Sequence, residues 1–365
     1  VVVLPEGDEE EVAAPEMKKE EKERALAMTG KTVEAMAGMH NYYIELPMPT
    51  SFGESPIWAE KVAKGELPPI EQRLPAEPQI IKTFEGIGEY GGTWRRAFTS
   101  PRDGQNYDRI SHDWPMLTDI DTVTPRPHVV DQWDIVDDLV FTYHLREGIR
   151  WSDGEPLTTA DFKFAHEEIS YNDEINPGRG KRLSYTEFSP LFEVLDEFTS
   201  RYTFDEPTPV WTDSMIDFWG FTLHGRVGHP PYAPAHFVKQ YHMDFGDQDW
   251  ILSQSEDAGF SSWGSWFNEM NDSLRNVGMP TIAAWDLTSP ITDPLYEFFR
   301  NPYYYEIDEA GNQLPYIDRI SMTLTEDSEV LNLKAIAGEF DFQARHIQPD
   351  KLPVLLQNAD RGGYT

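Results

Sequence analysis

Leu139-Val140-Phe141-Thr142-Tyr143-His144-Leu145, followed by Arg146-Glu147-Gly148-Ile149-Arg150-Trp151, Ser152-Asp153-Gly154 and Thr158-Thr159-Ala160-Asp161-Phe162, is the most legible stretch of this chain. Leu139, Phe141, Tyr143 and Leu145 alternate with Thr142 and His144, the period of a half-buried strand. Glu147-Gly148 reverses the chain, and Ser152-Asp153-Gly154 turns it again. Thr158 with Asp161 three residues on matches a capping box. Phe162, Ala165 and Ile169 then recur at helical spacing, and the helix is expected to stop before Asn172 and Pro177. The stretch predicts a hairpin, a turn and a helix.

Working outward, Thr93-Trp94-Arg95-Arg96-Ala97-Phe98 reads as a strand ending in the turn-rich Ser100-Pro101-Arg102-Asp103-Gly104. Upstream, Pro68-Pro69, Pro75 and Pro78 suggest an extended connector rather than a helix. Before it, the acidic block Glu6 to Glu11, the mixed Lys18 to Arg24 run and Met28, Met36 and Met39 read as a solvated, partly helical leader. Downstream, the Trp-, Pro- and Gly-rich middle third is expected to form short strands and loops. Tyr316 to Thr325 alternates like a strand. Ser328 opens a short helix closed by Gly338, and Glu339 to Phe342 looks like the next strand. The last residues, Gly362 to Thr365, show no terminal helix and read as a truncated end.

The 365 residues carry 30 Lys and Arg against 64 Asp and Glu, a formal charge of −34. That balance opposes nucleic-acid binding, which needs clustered cations, and broad docking on an anionic bilayer. No apolar run approaches the ~18–20 residues of a membrane span. Cysteine is absent, so disulfides, thiolate chemistry and cysteine-held zinc are excluded. At this length two or more lobes are expected.

Several catalytic patterns fail on inspection. Gly86-Ile87-Gly88-Glu89-Tyr90-Gly91 spells G-x-G-x-x-G, yet a strand rather than a helix follows it, so it lacks the dinucleotide context. Gly259-Phe260-Ser261-Ser262-Trp263-Gly264 is one residue too long for a nucleophile elbow and reads as a loop. His166-Glu167-Glu168 begins like a zinc motif, but Ser170 stands where the second His belongs. His224, His229, His236 and His242 lack ligand spacing. Asp308, Gly311 and Asn312 suggest a solvent-exposed turn more than a calcium loop. No metal or cofactor is expected. With 64 carboxylates, any acid/base pair can be drawn by chance, so the competing reading of a secreted glycosidase names no residues.

Tryptophan stands out, with 11 in the chain. Trp219, Trp263 and Trp285 lie in loop contexts and could stack on a sugar ring or a peptide side chain; they could equally be core packing.

Trp133-Asp134-Ile135-Val136-Asp137-Asp138 and the opening stretch through Thr158 together resemble the signature of the family 5 extracellular solute-binding proteins, the peptide, nickel and oligosaccharide receptors of ABC importers. Tyr90-Gly91-Gly92-Thr93-Trp94-Arg95-Arg96, Arg300-Asn301-Pro302-Tyr303-Tyr304, Gly311 to Asp318 and Ala337-Gly338-Glu339-Phe340-Asp341 are similar to further family segments.

The resemblance, over roughly 85–365, implies a two-lobed α/β fold of the periplasmic-binding-protein type (type II, large peptide-binding class). It implies a leader and connector at 1–84 and lobe I at 85–320, with its hairpin–helix subdomain near 120–210. The crossover into lobe II would occupy 321–365, the rest of that lobe lying beyond. It implies a monomeric, extracytoplasmic receptor, often lipid-tethered, that hands an extended solute to a membrane permease. An oligopeptide is favoured and an oligosaccharide is the alternative. By motif position the wall of the cleft would include Thr99, Ser100, Trp114, Pro280 and Thr281, although only Gly278-Met279-Pro280 remains of the family's loop there. Trp219, Trp263 and Trp285 are added on chemistry alone.

Overall fold

The strand at Val140–Leu145 buries Phe141, Tyr143 and Leu145 and leaves Thr142 and His144 half-exposed, as the alternation requires. The structure, a computed structural model, describes residues 46–83, 86–103, 114–118, 124–177, 190–209, 211–216 and 231–364. The acidic leader, Trp219, His224 and His229 lie outside them.

The N-terminal part holds a helix, α1 (Pro56–Ala63), and a short strand, β1 (Gln79–Ile81). Then come β2 (Thr93–Phe98), β3 (Met116–Thr118) and β4 (Pro125–Pro127). The signature region supplies β5 (Val130–Val136), β6 (Val140–Leu145) and α2 (Thr159–Phe164), which runs on as a π turn over Ala165–Ser170. Next are β7 (Leu191–Val194), β8 (Thr199–Thr203) and α3 (Trp211–Met215). Three helices follow: α4 (Ala235–Val238), α5 (Gln248–Asp257) and α6 (Trp263–Met270). The chain continues through β9 (Trp285–Ser289), β10 (Leu295–Arg300), β11 (Glu306–Asp308) and β12 (Arg319–Leu324) to α7 (Ser328–Ile336) and α8 (Leu352–Gly362).

Two four-stranded sheets organise these elements. One is antiparallel, in the order β5-β6-β8-β7; the other is mixed, in the order β2-β12-β10-β9, with β2 and β12 parallel. One apolar cluster links both, joining Phe141, Tyr143 and Trp151 to Phe98, Tyr296, Phe298 and Met322. Each such aromatic contributes about 1.5–3 kcal/mol by leaving water. A second cluster, with Ile169, Val238, Ile251, Trp266 and Phe267, lies among the helices after the π turn.

The signature acts as a junction. Thr158 and Asp161 form the expected capping box. Asp161 also accepts from Ala235 N at 3.1 Å and from Trp151 Nε1 at 3.4 Å, tying α2 to α4 and to the turn before it. Arg146 is buried and donates to the carbonyls of His128 and Glu77 and to Gln79 Oε1, at 2.7–3.1 Å. Gly148 has φ +93°, and a Cβ there would press on Pro75. The stretch read as a Pro-rich connector is therefore seated on the signature turn. Buried Arg73 adds to this by donating to Pro68 O, to Gln313 and to Glu54, while β1 pairs with β11.

Four expectations need correction. The segment 235–270 is helical rather than strand and loop: Asp247 and Ser262 cap α5 and α6, signals that the dense aromatics obscured. Ser262 is thus a helix cap. Glu309 and Ala310 at the tip of the Asp308 turn are exposed, but Asp308 itself is buried, and its carboxylate accepts from Ala310 N, Asn312 N, Asn312 Nδ2 and Tyr316 Oη, so protein donors hold it. A terminal helix, α8, does form, with Gly363 in the left-handed region as its cap. Finally, 339–342 is not a ladder strand. It runs along the edge of β2, where Asp341 N donates to Arg95 O while the Asp341 and Gln343 side chains accept from Arg95 N and Ala97 N.

Candidate functional site

In open α/β sheets the crevice beyond the carboxyl ends of the parallel strands is where ligands meet the fold. Here β2 ends at Phe98 and β12 at Leu324, side by side. Beyond them Thr99 and Ser100 start a turn that brings Asp103 back under Thr99, whose N–H donates to Asp103 Oδ2 at 3.0 Å. The Asp103 side chain is 3% exposed. It receives two further groups from the segment after α7: Arg345 Nε at 2.6 Å on Oδ1 and His346 Nε2 at 2.7 Å on Oδ2.

Neighbouring residues in an extended segment point to opposite sides, so Arg345 and His346 could not ordinarily reach one carboxylate. His346 resolves this by adopting φ +67°, an uncommon left-handed conformation for a side-chain-bearing residue. Asn332 of α7 holds it there: its Nδ2 donates to His346 O at 3.1 Å, and its Oδ1 accepts from Gln348 N at 3.0 Å. Just upstream, Arg95 and Asp341 form an ion pair at 2.6 Å, whose hydrogen bonds hold the Asp341 carboxyl below its ordinary range. Beside this corner a pocket of about 310 Å³ opens between α7, α8 and 340–347, lined by Phe340, Phe342, Ile347, Leu352 and Tyr364 among others.

Of the residues expected at the wall, Thr99 and Ser100 lie half-buried at this corner. Trp219 lies outside the described residues, and the remaining ones are elsewhere. Trp114 is buried, and its carbonyl meets His128 Nδ1 at 2.6 Å. Trp263 donates its indole N–H to Glu174 and packs on His242. Trp285 donates to Ile317 O at 3.0 Å and packs edgewise on Trp94. Each of these three rings is at most 8% exposed, so none offers a face for stacking. Pro280 and Thr281 are buried too, with Thr281 exchanging hydrogen bonds with Ser152 in the signature turn. The sequence reading missed Asp103, Arg345, His346 and Asn332. Its one available signal was an Arg-His pair in an otherwise cation-free stretch from 335 to 350.

One cluster has the make-up of a metal site. Ligand atoms of Glu168, His242 and Asp244 lie within 4.8 Å of one another. Both His242 nitrogens are engaged, however: Nδ1 accepts from Asp244 N and Nε2 faces Glu168 O, each at 3.2 Å. Burial lowers the pKa of this imidazole. It reads as a hydrogen-bonded core histidine.

Residues 124–363 match the family described as bacterial extracellular solute-binding proteins, family 5. The chain belongs to that family. It is 26% identical over 329 residues to the periplasmic alpha-galactoside-binding protein of Rhizobium meliloti, covering 83% of this chain and 43% of that one. It is 27% identical over 236 residues to the periplasmic oligopeptide-binding protein OppA of Salmonella typhimurium, covering 60% and 36%. Among solved structures, an oligopeptide-binding protein OppA superposes with a TM-score of 0.77 at 31% identity, over 94% of this chain and 51% of that one. The binding protein MelB of Agrobacterium fabrum, in complex with stachyose, gives 0.66 at 24% identity, over 88% and 47%. The chain therefore has part of the two-lobed fold of periplasmic binding proteins and spans about half the length of these relatives, or less. The relatives are binding proteins, not enzymes. Among the described residues no helix is long and apolar enough to cross a membrane.

Proposed function

We propose that the chain is the lobe I wall and crossover of an extracytoplasmic receptor that captures an extended solute, an oligopeptide in preference, for an ABC importer. The observation that carries this reading is the corner beyond β2 and β12, where a lobe I turn and the crossover share Asp103. In this reading lobe I spans 85–320 and the crossover 321–365, with Thr99 and Ser100 facing solute. Closure of a second lobe would exclude water around the solute, and the closed form would dock on the permease. Binding without turnover is the expected activity.

An oligosaccharide is the second reading, favoured by the alpha-galactoside-binding relative that matches 83% of this chain. Native mass spectrometry of the purified protein, followed by a thermal-shift screen of peptides against oligosaccharides, tests both. A retained peptide ladder, or stabilisation by peptides alone, supports the first. A released hexose series supports the second. Hydrolysis of an oligosaccharide would overturn both in favour of a glycosidase, and silence in every assay would overturn the receptor reading.

A further inference from the structure

We infer that Arg345 is a specificity-determining residue that takes a carboxylate group of the ligand. The inference rests on the receptor reading and adds the chemistry recognised at its wall.

Arg345 spends only Nε on Asp103. A guanidinium has five N–H donors, so the four on Nη1 and Nη2 remain, and they have no partner among the described residues. The side chain is 29% exposed, with its root fixed and its fork open. That is the preorganised state in which arginine binds a carboxylate through two parallel hydrogen bonds. The Asp103 clasp, the left-handed turn at His346 and the Asn332 brace set the orientation of the fork before any ligand arrives.

The choice of carboxylate over sugar follows from the balance of donors and acceptors. A sugar hydroxyl both donates and accepts, so a sugar site must offer acceptors as well. Here the Asp103 carboxylate, the one such group at the corner among the described residues, has both oxygens occupied, by Arg345, His346 and the Thr99 N–H, and is almost wholly buried. Ser100 Oγ accepts from Arg102 N and keeps its own proton to give. The corner thus presents donors, and a carboxylate accepts only.

The test is calorimetric titration of the full chain with tetra-alanine, with tetra-alanine carboxamide and with stachyose, repeated for Arg345→Gln and Arg345→Lys. The free acid is expected to bind about tenfold or more tighter than the amide. That ratio should collapse towards one in Arg345→Gln and recover in part in Arg345→Lys, which restores the charge without the fork. Melting curves confirm that the variants fold, and the acid-to-amide ratio would not move for a merely structural residue. Equal binding of acid and amide, or a ratio unchanged in Arg345→Gln, overturns the inference alone. So does saturable binding of stachyose without binding of either peptide. No saturable binding of any probe overturns the receptor reading and the inference with it.

Discussion

Asp103 and His346 are 243 residues apart in the chain and 2.7 Å apart in space. This contact and the neighbouring Arg345 bond clasp the turn after β2 to the segment after α7. Replacing Asp103 by Ala would strand the Thr99 N–H and two cationic or polar side chains at once. Because Arg345 and His346 keep partial access to water, the expected loss is about 1–3 kcal/mol rather than that of a fully buried pair. Asp103→Asn should lose less, as it keeps one acceptor. Urea unfolding checks this, and an unchanged midpoint in Asp103→Ala would show that the clasp does not hold the corner.

The signature turn carries a pH-dependent contact. His236 Nε2 and Asp153 Oδ2 lie 2.8 Å apart. The hydrogen bond that His236 donates to Asp153, with the carboxylate charge, raises the His236 pKa against the effect of burial. For Asp153, burial pushes upward, but the His236 hydrogen bond and the Glu155 N–H together bring its pKa below the usual value. The imidazolium contribution is full below the unfolded histidine value, about 6.5, and is lost as pH rises through the raised folded value. The carboxylate contribution is present above the unfolded aspartate value, about 3.9, and is lost as pH falls through the depressed one. The melting-temperature difference between the native chain and His236→Gln should therefore peak between about pH 4 and 6.5 and shrink on both sides. A difference that grows towards pH 9 would contradict the pairing.

The strand at 93–98, the β6 alternation, the Thr158–Asp161 cap and the Gly338 terminator could be read from local pattern, because each depends on residues within one or two turns of one another. The helices at 248–270 could not, since Trp250, Trp263, Trp266 and Phe267 have strand-like side chains and the helical period is blurred in pieces of eight to ten residues. The corner at Asp103 was illegible for another reason. Its partners are joined only by the tertiary fold, and the kink that aligns them falls at a histidine, where no turn residue announces it.

The Gly259–Gly264 segment offers a direct check on that distinction. Ser262 Oγ accepts from Ser265 N at 3.2 Å as the cap of α6, so Ser262→Ala should cost about 1 kcal/mol. Gly264 packs its Cα against the carbonyl of Glu174, and a Cβ would overlap that backbone atom. Gly264→Ala is expected to cost about 1–3 kcal/mol, more than the gain in helix propensity returns. Gly259 has open space around it but φ +79°, so Gly259→Ala is strained by conformation alone and should lose less. Thermal unfolding of the three variants orders them, and an indifferent Gly264→Ala would place α6 away from the Asn172–Ile175 turn.

Salt should stabilise this protein overall. A formal charge of −34 over 365 residues means that folding gathers like charges, and the self-repulsion weakens as the screening length falls from about 30 Å at 0.01 M to about 3 Å at 1 M. Opposing this are attractive pairs that salt would also weaken. The Arg300–Asp318, Arg275–Glu269 and Arg345–Asp103 pairs are at 2.6–3.2 Å with at least one partner largely buried, so they are screened little. The more exposed Lys64–Glu60 and Arg95–Asp341 pairs contribute little even at low salt. Relief of repulsion therefore outweighs loss of attraction. The melting temperature should rise steadily from 0.01 to 1 M sodium chloride, and equally with potassium chloride, because screening depends on ionic strength rather than on the cation. A curve that is flat or falls would mean that the acidic surface is already neutralised by bound counter-ions, or that ion pairs rather than core burial hold the fold.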